Sequence, residues 1–199
     1  RGSSVNFPES GTIDVDINDS AYDKARGWTN YLVAMAYAMR KRGAVIPHGF
    51  DVRVRGDIPN GAGLSSSASV ELAFGVALNN WFGLGFTPTE LAQAGQIAEN
   101  EFIGVSSGIM DQLVIANGRR GYALAMDCQT LDVSPVPMPA DDVIIVADSG
   151  KRRGLVESAY NERRAAAEKA ERELAGPRLV DIAPADLDAA LARLEPQLR

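Results

Sequence analysis

A glycine loop followed by three consecutive serines, PNGAGLSSSASV at residues 59–70, has the clearest chemical potential in this chain. Gly61 and Gly63 allow positive φ angles and the close approach of a ligand to the backbone. An apolar helical pattern begins at about Ser67, so the serines coincide with the unpaired N–H groups and positive dipole end of a helix. A phosphate is the natural ligand of such a position. A serine hydroxyl there can also ligate Mg²⁺, which prefers oxygen donors.

The same serines also have a simple structural interpretation, because one Ser is enough to cap a helix. The loop is not a Walker A loop, which requires Lys after its second glycine, and it is not the dinucleotide-binding G-x-G-x-x-G pattern. Three serines followed by Ala68, in the loop that follows Pro59, exceed what capping requires. The residues alone therefore leave open both a phosphate site and a capped helix after a turn.

Two carboxylates in IAENEFIGVSSGIMDQ, residues 97–112, could serve a phosphoryl transfer. Such a reaction needs Mg²⁺ to neutralise the triphosphate and a group to orient the acceptor hydroxyl. Glu99 lies late in a helix predicted over 88–102, and Asp111 lies early in a helix predicted over 108–116. Each also has a structural interpretation: Asp stabilises a helix N-terminus through the dipole, and Glu99 can be a solvated helix residue.

Composition excludes several other classes of function. The chain has 199 residues, a net charge of -6 and 46% hydrophobic residues, so it can form a core and presents no polybasic face for nucleic acid. No apolar run is long enough to span a bilayer, and no secretory pattern is present. Cys128 and His48 are single, which argues against a disulfide, a thiolate zinc site and a Ser-His-Asp hydrolase. These counts suit a reducing cytoplasm.

The elements that must position these residues mix strands and helices without regular βαβ alternation, which predicts an α+β fold. Hydrophobic periodicity predicts strands at 12–17, 50–58, 122–127, 131–136 and 143–147. Helices are predicted over 21–42, 67–81, 88–102, 108–116 and 154–174. The helix at 88 should begin with a capping box, because Thr87 precedes Pro88 and Glu90 follows three residues after the threonine.

PNGAGLSSSAS resembles the second signature motif of the GHMP kinases, a family that includes galactokinase, homoserine kinase and mevalonate kinase. The triple serine followed by Ala-Ser, and GIMDQ after an AE(N/H)-x-F-x-G stretch, resemble galactokinase in particular. WTNY at 28–31, MDC at 126–128 and DSGKRRGLVESAYNERR at 148–164 are also similar to galactokinase, so the resemblance covers nearly the whole chain.

The resemblance implies the members of the site. It assigns the phosphate loop of ATP to Gly61, Ala62, Gly63, Leu64, Ser65, Ser66 and Ser67. It implies that Ser67 and Glu99 ligate Mg²⁺. The aspartate of GIMDQ, Asp111, matches the catalytic residue at the anomeric hydroxyl of the sugar, as general base or electrostatic stabiliser. Tyr160 matches a tyrosine that touches the sugar.

The resemblance also implies the fold and the reaction. Residues 1–149 would form most of an N-terminal α+β domain of the ribosomal protein S5 domain 2-like type, and 150–199 would begin a second α+β domain. The implied reaction transfers the γ-phosphoryl group of ATP to the C1 hydroxyl of galactose. We expect a cytoplasmic protein without a nucleic acid or membrane partner, and the oligomeric state stays open, with a monomer as the expectation. Open alternatives are another GHMP kinase such as N-acetylgalactosamine kinase, a non-catalytic galactose sensor, or a structural domain.

Two motifs of the family do not occur in these residues: the N-terminal GRxNxIGEHxDY segment and a C-terminal glycine-rich segment. In the family the first supplies an arginine that pairs with the catalytic aspartate, and part of the sugar pocket. Losing such a partner costs several kcal/mol of barrier, and about 1.4 kcal/mol is a tenfold change in rate. We therefore expect the 199 residues to be a fragment that binds nucleotide weakly and turns over poorly by itself.

Overall fold

The computed structural model describes residues 1–59, 62–147, 156–176 and 178–198, with side chains throughout except at 156–160. The chain divides into two compact units, Arg1–Arg152 and Arg153–Arg199. Helices and strands occur together in the first unit, in agreement with the predicted α+β class. The assignment of 150–199 to a second family domain stays a prediction.

Short strands form two small sheets in the first unit. Strands β1 (Gly2–Ser4), β2 (Thr12–Ile13) and β3 (Val52–Val54) form a sheet of order β2-β1-β3, in which β1 is antiparallel to β2 and parallel to β3. The strands predicted over 12–17 and 50–58 are shorter than expected, because β1 offers only three residues for pairing. Strands β4 (Tyr122–Met126) and β5 (Val133–Pro137) form an antiparallel pair.

Four helices make the core of this unit: α1 (Asn30–Lys41), α2 (Ser66–Phe82), α3 (Pro88–Ile97) and α4 (Met110–Asn117). Helix α1 lies against α2 and α3, and α4 lies against α2 and α3. The largest fully buried apolar side chains of this unit come from these four helices: Leu32, Met35, Met39, Leu72, Leu78 and Leu113. Burial of these apolar groups is the main force that fixes α2 and its N-terminus in place.

The helix predicted over 21–42 begins later than expected. A 3₁₀ helix, Lys24–Thr29, precedes α1, and Gly27 within it has φ 52° and ψ -131°, which breaks regular helical geometry. The Asn30 side-chain amide donates to the carbonyls of Asp23 and Gly27, at 2.7 and 3.0 Å. These side-chain bonds hold a turn where hydrophobic periodicity alone predicts a helix.

The strand predicted at 143–147 is also wrong within the described part of the chain. These residues form no regular secondary structure, and Val143 and Ile145 are 85% and 86% exposed. An apolar run becomes a strand only where another strand accepts its backbone hydrogen bonds. No described strand pairs with this segment.

The capping box at the start of α3 is confirmed. The Thr87 hydroxyl accepts a hydrogen bond from the Glu90 amide at 3.3 Å, and the Glu90 carboxylate accepts one from the Thr87 amide at 2.8 Å. At its other end α3 continues directly into a single π-helical turn, Ala98–Ile103, so the chain stays helical past the predicted end at residue 102.

The second unit contains α5 (Val156–Leu174) and α6 (Leu187–Arg193), together with short 3₁₀ turns. Ala170, Leu174 and Leu194 form its small buried cluster. Across the described residues of both units, no helix combines the length and apolar character that crossing a membrane requires.

Candidate active site

The loop that precedes α2 adopts backbone conformations that favour glycine. Gly63 has φ 76°, and Ser65, the residue before the first helical residue, has φ 55° and ψ 39° in the left-handed region. A non-glycine residue in this region is strained, and such strain is concentrated at functional sites. Of the predicted phosphate loop, residues 62–67 are described and Gly61 lies outside the described residues.

The first amides of α2 have no hydrogen-bond acceptor among the described residues. The first helical bond runs from the Ser69 amide to the Ser65 carbonyl at 3.0 Å, and the Ser65 side chain makes no capping bond. Among the described residues, none accepts a hydrogen bond from the amides of Ser66, Ser67 or Ala68. The capped-helix interpretation required a serine to occupy these donors, and no described serine does so. They are therefore available to an anionic ligand.

Ser67 and Glu99 are brought together by the packing of α2 against the end of α3. The Ser67 hydroxyl donates to Glu99 Oε1 at 2.8 Å. The Glu99 carbonyl accepts from the amides of Gly104 and Val105, both at 2.9 Å, which anchors the π turn at this residue. Glu99 is only 7% exposed, so its carboxylate lies inside the site and not on a solvated helix face.

Glu101, the neighbouring acid in the same turn, faces α1. Its carboxylate pairs with Lys41 and lies 3.5 Å from the Tyr37 hydroxyl. The two acids of AENE are thus separated by geometry: Glu101 makes a surface ion pair, whereas Glu99 contacts the serine of α2.

Asp111 is half-buried in the first turn of α4, and no described residue forms a hydrogen bond or an ion pair with its side chain. The segment before α4 is tied to the π turn, because the Ser107 hydroxyl donates to the Asn100 side chain at 3.2 Å. Glu99 and Asp111 are therefore carried by connected segments of backbone. Tyr160 falls within α5, but its side chain lies outside the described residues.

Glu71 is a further acidic residue near Ser67 and Glu99, and sequence reasoning did not identify it. It is 0% exposed, and neither carboxyl oxygen has a hydrogen-bond partner among the described residues. Burial raises the pKa of the Glu71 carboxyl well above its ordinary value, and the Glu99 carboxylate raises it further. A signal was present in the sequence, because Glu71 shares the apolar face of α2 with Ala68, Leu72 and Gly75.

A cleft of about 640 Å³ lies between the β1–β3 sheet and the start of α2. Trp28 and Tyr31 line it together with Ser66 and Ser67. Sequence pattern alone assigns no chemical role to the WTNY segment, although two aromatic residues three positions apart are a usable signal. The cleft is large enough for a nucleoside, since small-molecule sites have volumes of roughly 300–1,000 Å³.

The donor set fits Mg²⁺. Ser67 and Glu99 offer hard oxygen atoms in hydrogen-bond contact, and Glu71 adds a buried carboxyl without a described partner. No group of three His, Cys, Asp or Glu side chains in the described ranges could hold a metal by itself. Ser67 and Glu99 are two such ligands, and Mg²⁺ takes one or two protein ligands and fills its octahedral shell with phosphate oxygens and water.

Comparison with known proteins agrees with this arrangement. Residues 30–119 match the family model described as the GHMP kinases N terminal domain. Galactokinase of Lactiplantibacillus plantarum is 46% identical over 172 residues, which is 86% of this chain and 44% of that protein. Galactokinase of Bacillus subtilis is 40% identical over 191 residues, which is 94% of this chain and 49% of that protein.

A solved structure, Lactococcus lactis galactokinase complexed with galactose, superposes with a TM-score of 0.86 and 34% sequence identity. The match covers 99% of this chain and 52% of that one, so the chain spans about half the length of the relatives it matches. The motifs, the fold and these relatives lead to one conclusion: the chain belongs to the GHMP kinase family, whose N-terminal domain residues 30–119 match, and within that family it resembles the galactokinases.

Proposed function

We propose that the intact protein is a galactokinase, which transfers the γ-phosphoryl group of ATP to the C1 hydroxyl of galactose. The observation that carries the proposal is the contact between Ser67 and Glu99 beside the open amides of α2. Galactokinase relatives and a galactose-bound galactokinase structure support the choice of sugar. Because the cysteine content is low, we assign the reaction to the cytoplasm.

In this proposal the triphosphate lies over residues 61–67 and accepts hydrogen bonds from the amides of Ser66, Ser67 and Ala68. The helix dipole adds positive potential at this point. The purine lies in the adjoining cleft, where Trp28 and Tyr31 offer aromatic faces to a planar base. The chain thus supplies one surface for the base and one for the phosphates.

Ser67 and Glu99 would hold Mg²⁺, which supplies neutralisation of the negative charge on the triphosphate. Glu99 is buried and Ser67 is half-buried, which limits competition from water and strengthens each electrostatic interaction. The π turn keeps the Glu99 carboxylate facing the first turn of α2, because the Glu99 carbonyl holds two amides at once.

Asp111 would orient the C1 hydroxyl of the sugar and accept its proton at a carboxylate oxygen, or stabilise the developing charge. Both of its oxygens are free of described protein partners. Its half-buried position is compatible with access by a sugar. Tyr160 is proposed as a sugar contact on the resemblance alone.

A coupled assay with ATP and galactose tests the proposal in the intact protein. Asp111→Asn should lower turnover by about 10²–10⁴-fold, the usual contribution of a proton-transfer group, while nucleotide binding persists. Asp141→Asn, at an exposed position, is the matched control and should keep wild-type turnover. Wild-type turnover in the Asp111 variant would show that Asp111 takes no part in the phosphoryl transfer.

Two outcomes for the wild-type protein would redirect the proposal. Faster phosphorylation of N-acetylgalactosamine than of galactose would identify N-acetylgalactosamine as the substrate sugar. Binding of galactose and ATP without phosphorylation would identify a sensor and not an enzyme.

A further inference from the structure

Glu71 occupies a costly position for a carboxyl group. It lies one helical turn after Ser67 on α2, it is 0% exposed, and neither oxygen has a described hydrogen-bond partner. A buried polar group without a partner destabilises the fold, so such a group in a native protein requires an explanation. The apolar residues around it on α2 show that this face could have been entirely apolar.

The neighbours of Glu71 belong to the proposed metal site. Positions four apart on a helix lie on the same face, so Glu71 follows Ser67 along α2. Glu99, which accepts the hydrogen bond from Ser67, also interacts electrostatically with Glu71. A buried, unpartnered carboxyl therefore lies beside the two groups that would hold the cation.

Glu71 makes no hydrogen bond with Ser67 or Glu99, although these two are 2.8 Å apart. A polar gap wider than a direct hydrogen bond suits an intervening water molecule. Mg²⁺ keeps several of its waters when proteins bind it, and those waters are strong hydrogen-bond donors.

We propose that Glu71 is a positioning residue of the metal site, whose carboxyl accepts a hydrogen bond from a water molecule bound to the Mg²⁺ held by Ser67 and Glu99. The inference rests on the proposed function, because it requires a metal at those two residues. Groups that hold metal-bound ligands in orientation typically contribute 10–100-fold to metal affinity or activity.

The affinity for ADP is measured by calorimetry on the intact protein, once with Mg²⁺ and once with EDTA. The ratio of the two affinities is the metal contribution to ADP binding. Glu71→Leu should weaken binding in Mg²⁺ by about tenfold or more and leave binding in EDTA unchanged. Glu71→Gln keeps one acceptor oxygen and should lose less. Leu72→Ala, at the next buried position of α2, is the matched control and should keep the wild-type ratio of the two affinities.

Thermal unfolding without metal separates positioning from a structural role. Removing an unpartnered carboxyl should leave the Tm of Glu71→Leu equal to or above that of wild type. A lower Tm together with an unchanged metal contribution would overturn the inference. If Glu71→Leu does not fold, Glu71→Gln decides the matter, since a metal contribution equal to wild type would again overturn it.

Ser67→Ala and Glu99→Gln distinguish a failure of this inference from a failure of the proposed function. If both variants lose the metal contribution and the Glu71 variants keep it, only the role of Glu71 is wrong. If all of them keep it, the proposed metal site itself is wrong, and the inference fails with it.

Discussion

The Ser67 hydroxyl donates a hydrogen bond to the Glu99 carboxylate at 2.8 Å and joins the first turn of α2 to the π turn after α3. The two residues are 32 positions apart in the chain, so only the tertiary fold brings them together. Ser67 also lines the aromatic cleft, and it lies in the first turn of α2, whose first amides have no acceptor in the described part of the chain.

Removing either partner of this contact should weaken the response of turnover to Mg²⁺. We expect Glu99→Gln to raise the Mg²⁺ concentration needed for half-maximal turnover by at least about tenfold, because a neutral amide is a poorer ligand for a hard cation. Glu101→Gln is the matched control, since Glu101 pairs with Lys41 on the surface. Equal Mg²⁺ responses of the two variants would contradict the assignment of Glu99.

Folding stability without metal should depend on the ionisation of Glu71. The pKa of Glu71 is raised in the folded protein above its ordinary value of 4.5, chiefly by burial and then by Glu99. The folded state therefore binds the proton more tightly, and stability present below about pH 4.5 is lost as the pH rises towards the folded-state pKa.

Urea denaturation over a pH series measures this effect. The free energy of unfolding of the wild type should fall relative to Glu71→Gln as the pH rises above 4.5, because the amide does not ionise. A difference between the two proteins that does not change with pH would contradict the prediction.

Trp28 should report nucleotide binding. The chain has two tryptophans, and Trp81 is 59% exposed beside Phe50 and Phe82, so Trp81→Phe leaves Trp28 as the remaining indole with little loss of packing. Adding ATP to that variant should change its fluorescence, because a purine in the cleft would stack near the indole. The reciprocal variant, Trp28→Phe, should show no comparable change in fluorescence on adding ATP. An equal change in the two variants would indicate that the base binds outside the cleft.

The capping box should contribute measurably to stability. Thr87→Ala removes the hydroxyl that accepts from the Glu90 amide and should destabilise the first unit by about 1 kcal/mol. Thr89→Ala lies two residues further into the same helix and outside the capping box, so it should be close to neutral in urea denaturation. Equal losses would indicate a role for Thr89 that the capping geometry does not include.

The sequence predicted the features that depend on local chemistry. The capping box follows from residue types at fixed spacing, and the start of α2 follows from a glycine loop before an apolar run. The helix at 21–42 was overestimated because side-chain bonds from Asn30 stabilise a turn that periodicity does not detect. The strand at 143–147 needed a partner that the pattern cannot supply.

The roles of Trp28 and Glu71 depend on tertiary packing. Trp28 lines a cleft only because the sheet and α2 enclose a space between them. Glu71 becomes noteworthy only when its helix face is seen to be buried without a partner for the carboxyl. Sequence pattern assigns residues to a face, whereas packing decides what the face contacts.

The π turn Ala98–Ile103 constrains the number of residues that the chain can have between α3 and α4. Each residue of a helix rotates the backbone by about 100°, so deleting one residue here would restore a regular helix and turn everything after it through more than a quarter of a revolution. The orientation of Asp111 relative to Glu99 would then change. Single-residue insertions and deletions in this short stretch should therefore be excluded by natural selection even where substitutions are accepted.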